Sequence, residues 1–288
     1  MRPSYPVSLA CEVLEVSASG YFNWLRRSEA GSRGPAGRHS DEAVLAHIRA
    51  IHAEVKGEYG WPRMHKELLA RGIRVGKDRV RKLMQQHGIR AKTKRKFVVT
   101  TDSRHSLPVA PELVGRFNPE APNQLWCGDI TYIATDEGWL YLAAVIDLFS
   151  RQVVGWSLQP HMQTSLVKEA LAMAWWRRRP QPGLIFHSDR GSQYCSHEFQ
   201  DALKDWGMRS SMSRKGNCWD NAPTESFWGR LKTASVHGRK FATREQARQA
   251  VMDWMAFYNH RRLHSTLGYL SPMQYEQRWY EAQRKKAA

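Results

Sequence analysis

Three carboxylates stand where neighbouring apolar segments do not ordinarily place them. Asp129 lies inside the run LWCGDITYI, Asp189 directly follows another apolar run in LIFHSDRGSQY, and Glu225 opens a helical segment in NCWDNAPTESFWGRLK. Charged residues inside apolar strands are seldom there for packing, and the carboxyl end of a strand is where open α/β sheets place their ligands. Each acid alone reads equally well as a salt-bridged or capping carboxylate. One strand-borne, one strand-end and one helical acid can, however, converge on a point. Gathered in a partly dry site, they repel one another and take up protons unless cations neutralise them. Asp189 and Glu225 are separated by 35 residues, and Lys232 lies seven positions beyond Glu225. Seven residues are two helical turns, so Glu225 and Lys232 share a helix face.

The segments that must hold these groups are legible from periodicity. Leu125 to Ala134, Trp139 to Phe149 and Gln152 to Leu158 are rich in Val, Ile, Tyr and Trp, and tight-turn residues separate them, which predicts three consecutive antiparallel strands. A helix over Thr164 to Arg178 follows. Then come a short buried strand at Leu184 to Phe186, a helix over Ser196 to Trp206 and a short strand over Arg209 to Met212. Two longer helices, Ala222 to Val236 and Thr243 to His260, close the pattern, with Asn221 as the cap of the first and Pro223 early within it. Strands followed by strands alternating with helices predict an α/β sheet with helices on its faces.

The amino-terminal part is helical instead. Two short helices, around Ser8 to Leu14 and Ser19 to Arg27, flank a serine-rich step that fits a helix-turn-helix, as it would any helical hairpin. From Asp41, capped by Ser40, one helix carries Val44, Leu45, Ile48, Ile51 and Val55 on a stripe. A second, begun at Pro62, carries Met64, Leu68 and Leu69, and a third carries Val80, Leu83 and Met84. Twelve basic side chains between Arg49 and Lys92 make this unit a candidate DNA reader, with a docking bundle for protein as the alternative.

Charge narrows the partners. Among 288 residues, 44 Lys and Arg face 27 Asp and Glu, a formal net charge of +17. The excess is +11 up to Phe117 and +6 beyond it, which is the balance of a polyanion binder. The densest run, Arg90, Lys92, Lys94, Arg95 and Lys96, joins the two halves and suits a strap along a phosphate backbone, with an ordinary solvated face as the alternative. No apolar run approaches the roughly 18–20 residues of a membrane span, and the N-terminus has prolines where a signal peptide would have an apolar core, so an intracellular, soluble protein is expected. Cys11, Cys127, Cys195 and Cys218 have no zinc-ligand spacing and are expected as free thiols.

Taken together, the three acidic words, VLEVSASGYFNWLRR, IHAEVKGEYGWPRMHKELLARGI and the terminal FYNHRRLHSTLGYLSPMQYE resemble the DDE transposases of the retroviral-integrase superfamily. The similarity is greatest to the second-frame (OrfB-type) transposases of insertion-sequence family three and covers nearly the whole chain. It implies a ribonuclease-H-like mixed sheet with flanking helices, preceded by small all-α DNA-binding modules. The implied division is a helix-turn-helix-like segment at 1–30, a linker at 31–39, a three-helix module at 40–90, a basic linker at 91–118 and an integrase-type core at 119–283.

The resemblance also implies that Asp129, Asp189 and Glu225 are catalytic and hold divalent metal, and that Lys232 touches DNA near the reacting end. Magnesium suits an all-oxygen donor set, with manganese as a substitute; no zinc is expected. Two ions roughly 3.5–4 Å apart can serve both cleavage of an element end and joining of its 3′ end to new DNA. Expected partners are double-stranded DNA, further copies of the chain assembled on it, and an upstream-frame protein or fusion. The expected setting is the bacterial cytoplasm, at the nucleoid. A structure-selective nuclease of the same fold that does not join strands, and a non-catalytic DNA-binding regulator, are the alternatives. His187, Arg190 and Gln193 either orient substrate or satisfy loop hydrogen bonds. Trp219 and Trp228 either stack on a base or pack in the core. Tyr258 to His264 forms a DNA or packing element.

Overall fold

The computed structural model describes residues 6–29, 39–92, 108–114, 118–213 and 222–287. Two compact units emerge, Met1–Ala91 and Lys92–Ala288. Of the basic run, Lys94, Arg95 and Lys96 lie outside the described residues, as do Cys218, Trp219, Asn221 and the glycine-rich linker.

In the first unit, α1 (Val7–Val13) and α2 (Ala18–Glu29) form a helical pair, and α3 (Asp41–Glu54), α4 (Trp61–Ala70) and α5 (Lys77–Gln86) form a bundle. Ser40 caps α3, its hydroxyl accepting from the Ala43 amide at 3.1 Å. Val44, Ile48, Met64, Leu68 and Val80 are fully buried between the three helices. Leu69, placed on the apolar stripe by its spacing, is instead exposed, because the stripe of a ten-residue helix is narrow and Leu68 fills it. Arg71, on the α4 end, bridges Glu54 of α3 at 2.7 Å and Glu67 of its own helix at 2.8 Å.

The second unit is built on a five-stranded sheet of β1 (Leu125–Thr135), β2 (Gly138–Asp147), β3 (Val153–Gln159), β4 (Ile185–Ser188) and β5 (Arg209–Met212), in the order β3-β2-β1-β4-β5. β1, β2 and β3 pair antiparallel, and β4 and β5 join parallel to them. Helices cover both faces, which is the ribonuclease-H-like arrangement. Side chains alternate across a strand, so Cys127 and Ile133 face one core with Phe227, Trp228 and Trp254. Trp126 faces the other, with Leu166, Ala170 and Phe199. The first core is closed by α9 (Ala222–Leu231) and α10 (Arg244–His260). The second is closed by α6 (Thr164–Arg178), the single turn α7 (Ser192–Cys195) and α8 (His197–Asp205).

β3 and α6 approach so closely that a Cβ on Gly155 would lie 2.2 Å from the Ala170 carbonyl oxygen and 2.7 Å from the Ala174 amide. Backbone on both sides leaves no soft neighbour to yield. Gly155→Ala should therefore destabilise the second unit by about 1–3 kcal/mol, the usual cost of overpacking a tight core, read as a lower urea midpoint at constant slope.

The segment predicted as one helix over Ala222 to Val236 changes character within its length. α9 ends at Leu231, and Lys232–Val236 form a π-helical turn, a form found mostly as single turns at functional sites. A further helix, α11 (Pro272–Ala287), was not foreseen from the sequence. Its segment is polar and basic, and only Pro272 and Glu276 in it are buried. Aromatic contact and charge hold it, with Tyr275 and Trp279 packed on Phe149 at ring-centroid distances of 5.2 and 5.8 Å. Glu276 meets the Arg178 guanidinium at 2.6 Å, and Arg178 also faces Asp147 at 3.7 Å. Asp147, fully buried at the end of β2, accepts the Asn123 amide at 2.7 Å and the Phe149 amide at 2.9 Å.

Candidate active site

β1 pairs with β4 only through Leu125–Cys127, so the β1 edge is open beyond that point. Asp129 lies two residues past the last pair, and Asp189 follows the end of β4 directly. The first two acids thus come together where the parallel pairing of β1 with β4 stops, Asp129 within β1 and Asp189 just past β4. Both line one cleft of about 390 Å³.

α9 brings in the third. The Thr224 hydroxyl lies 3.7 Å from Cys127 Sγ, and the Trp228 indole N–H donates to Asp129 Oδ2 at 2.8 Å. Residues four apart on a helix share a face, so Thr224 and Trp228 dock α9 onto β1. Glu225, one residue after Thr224, is turned away from that contact and is exposed. It remains near enough for its charge to act on Asp129.

Electrostatics mark the point of convergence. Burial, together with the neighbouring charges of Asp189 and Glu225, pushes Asp129 up to about 7, against the hydrogen bonds from the Ile130 amide and Trp228. Asp189 Oδ1 accepts the Gly191 amide at 2.9 Å, which fixes its loop. Lys232, half-buried at the π-helical turn, has its ammonium 5.2 Å from the centroid of the Tyr132 ring. Burial lowers its pKa and the Asp129 charge raises it. Glu225 and Lys232 therefore both reach the neighbourhood of Asp129, as their seven-residue spacing predicts.

Among the described residues, no three His, Cys, Asp or Glu side chains form a ready metal cage. The donor set nevertheless fits a hard cation. Burial and the neighbouring Asp189 charge together hold a proton on Asp129 near neutrality, and a cation bound there would stabilise the ionised form. A stability consequence follows. An unfolded carboxylate releases its proton near 3.8, whereas folded Asp129 keeps it to about 7. The folded state thus binds more protons between those values, and its stability falls as pH rises through them. Magnesium, binding the ionised form, should raise the melting temperature more at pH 8 than at pH 5. Equal shifts at both pH values in thermal denaturation would exclude this.

The remaining singled-out residues divide. His187 is buried in β4 with Nδ1 3.0 Å from the Ser211 hydroxyl, and Arg190 donates to the Ser213 carbonyl at 2.7 Å, so both serve the sheet and its loop. Gln193 lines the cleft and donates to the Met162 carbonyl at 3.0 Å. Arg90 is exposed, its carbonyl 3.2 Å from His52 Nε2, and Lys92 donates to the Ala234 carbonyl at 3.3 Å. Asn259 brackets the start of β3, accepting the Val153 amide and donating to its carbonyl, both at 2.9 Å. Tyr258 and Arg262 are buried, so these members of the terminal word work in packing.

Trp228 is buried and does not present its face to a base. Its contact with Asp129 was invisible in the sequence, because only the docking of α9 on β1 creates it. Trp228→Phe keeps the ring and removes the N–H. If Trp228 positions Asp129, calorimetric magnesium affinity should fall about 10- to 100-fold while the fold is retained, the usual effect of losing a ligand's supporting hydrogen bond.

Residues 119–218 match the family described as integrase core domain, residues 206–272 a second family of that description, and residues 39–97 an HTH-like domain family. The second unit is therefore an integrase core. The transposase InsF for insertion sequence IS3A of Escherichia coli (strain K12) is 44% identical over 278 residues, covering 96% of this chain and 95% of that protein. The chain belongs to the IS3 family of transposases. The uncharacterized 31 kDa protein of insertion element IS600 from Shigella sonnei is 43% identical over 273 residues, covering 94% of this chain and 98% of that one. The HTLV-2 integrase catalytic core domain in complex with magnesium is 17% identical with a TM-score of 0.45, covering 55% of this chain and 99% of that one. Among the described residues, no helix is long and apolar enough to cross a membrane.

Proposed function

We propose that this chain cleaves the ends of an insertion sequence and joins the resulting 3′ ends to DNA, and that Asp129, Asp189 and Glu225 form its catalytic and metal-holding centre. The observation that carries this reading is the cleft shared by Asp129 and Asp189, in which burial first, and then the neighbouring charges of Asp189 and Glu225, push Asp129 up to about 7. Asp129 offers its oxygens from within β1 and Asp189 from the end of β4, and Glu225 offers a third carboxylate from an exposed first turn able to close on them. Magnesium, or manganese, would supply charge neutralisation and polarisation of the reacting phosphate when bound.

Trp228 and the Ile130 amide hold the Asp129 carboxylate in one orientation, leaving acceptor capacity on both oxygens. Lys232, beside Asp129, is placed to take a phosphate oxygen of the DNA. Water displaces the 3′ oxygen at the element end, leaving a 3′-hydroxyl. That hydroxyl then attacks a target phosphodiester and expels a second 3′ oxygen, so one bond breaks for each that forms.

We assign the helical pair at 1–30 and the three-helix module at 40–90 to DNA recognition. Linkers lie at 31–39 and 91–118, with Arg90, Lys92, Lys94, Arg95 and Lys96 along the backbone of duplex DNA, and the core lies at 119–283. Assembly of several copies on DNA, with an upstream-frame protein or as a fusion to it, completes the proposal, as does a cytoplasmic, nucleoid-bound setting.

An oligonucleotide assay with magnesium tests the reaction. Nicked ends and a longer strand-transfer product are expected. Nicking with no joined product would identify a nuclease of this fold, and neither product would leave only a DNA-binding regulator.

A further inference from the structure

Beside the acids, the cleft turns aromatic. Its lining includes Asp129 and Asp189 at one end and Tyr132, Trp139, Tyr141 and Met162 further along. Tyr132 and Tyr141 face each other across β1 and β2, and Trp139 meets Tyr132 edge to face, with ring centroids 4.7 Å apart at 84°. This cluster does not complete a core. Trp139 is 49% exposed and Met162, on the approach to α6, is 45% exposed.

The platform is rigidly held. The hairpin carrying Trp139 is tied to the start of α10 by the Arg244 amide on Glu137 Oε2 at 2.8 Å, and by Arg244 Nε on the Trp139 carbonyl at 3.1 Å. The Asp136 amide donates to the Phe241 carbonyl at 2.9 Å. A large apolar ring held in place and left half in water beside charged groups is an unfilled contact.

The geometry points to the occupant: we propose that the exposed ring of Trp139, braced edge to face by Tyr132, stacks one unpaired nucleobase adjoining a phosphate drawn to Lys232 beside Asp129. The inference rests on the proposed reaction for which phosphate lies there, but not for the stacking itself. Lys232 carries the argument from acid to ring, because its ammonium lies by the Tyr132 face and within the field of Asp129. A phosphate drawn to that cation places the base of the same nucleotide, or of its neighbour, against the aromatic wall. A base within duplex is already stacked and cannot enter; one at a frayed strand end enters at least cost. Aromatic stacking contributes about 1–3 kcal/mol per base and tolerates any base, so the platform selects for an unpaired end and not for sequence.

The test uses the full chain and a short duplex ending in unpaired thymines, without magnesium, so that binding is read apart from chemistry. With 5-iodouracil replacing one unpaired thymine at a time, irradiation should cross-link one position to Trp139 or Tyr132, located by mass spectrometry. Trp139→Ala should weaken binding of the unpaired-end duplex about 5- to 150-fold, the fold-change equivalent of 1–3 kcal/mol, and Trp139→Phe should restore most of it. Replacing the unpaired thymines with abasic sites should erase the difference between wild type and Trp139→Ala.

Equal affinity of wild type and Trp139→Ala for the thymine-ended duplex would overturn the proposal. So would cross-links confined to other residues, or a Trp139→Ala defect that persists on abasic ends, as a platform for a protein partner would give. Wild-type nicking with magnesium, run alongside, separates the two readings. Its loss counts against the reaction, whereas nicking without base dependence counts against the platform alone.

Discussion

Asp189→Asn should reduce end cleavage and strand joining at least about 10³-fold, a loss of roughly 4 kcal/mol of transition-state stabilisation, while affinity for duplex DNA changes little. Asn keeps the size of the side chain and its acceptor for the Gly191 amide, which donates to Asp189 Oδ1 at 2.9 Å, so the loop should stand. What it removes is the charge that crowds Asp129. Two further effects follow from that removal. Asp129 should titrate closer to an ordinary carboxylate, since Asp189 is the largest neighbouring charge raising it. Magnesium binding measured by calorimetry should weaken with the catalytic loss. Glu225→Gln should impair catalysis comparably but move Asp129 less, because Glu225 is the smaller influence on it. Either variant joining strands at the wild-type rate would remove these acids from the chemistry.

The second large effect concerns stability. Arg178→Met should destabilise the second unit by about 3–5 kcal/mol, since it leaves Asp147 and Glu276 as two buried anions without their shared cation. Methionine preserves much of the side-chain volume, so the loss is one of charge more than of packing. For a unit of this size the melting temperature should fall by roughly 10 °C, followed by circular dichroism. Adding Glu276→Gln to Arg178→Met should recover part of the loss, because one of the stranded charges is then gone. A single Arg178→Met variant as stable as wild type would show that α11 is held by other contacts.

Much of this architecture was legible because periodicity reports burial. The β-branched and aromatic residues of LWCGDITYIAT mark β1, and the interruption of that apolar run by Asp129 marks the first acid. Asp189 was placed by the end of an apolar run, and Glu225 by the helix that begins just before it. What escaped depends on contacts between distant segments. α11 presents little apolar surface, and it docks through Glu276 meeting Arg178 and through Tyr275 and Trp279 on Phe149, contacts between distant segments that no local pattern encodes. The indole of Trp228 reads as core from its spacing, and it is core, but its N–H reaches Asp129 only once α9 lies on β1. The winding changes from α-helical to π-helical at Lys232, which the seven-residue spacing from Glu225 does not reveal.

The central claim is that Asp129 and Asp189, with Glu225 closing on them, grip divalent cations. Anomalous diffraction from crystals soaked in manganese tests it most directly. A peak between the Asp129 and Asp189 carboxylates, absent in crystals of Asp129→Asn, is the predicted result. Crystals of strand-transferring protein, saturated with manganese yet showing no peak at these carboxylates, would contradict it.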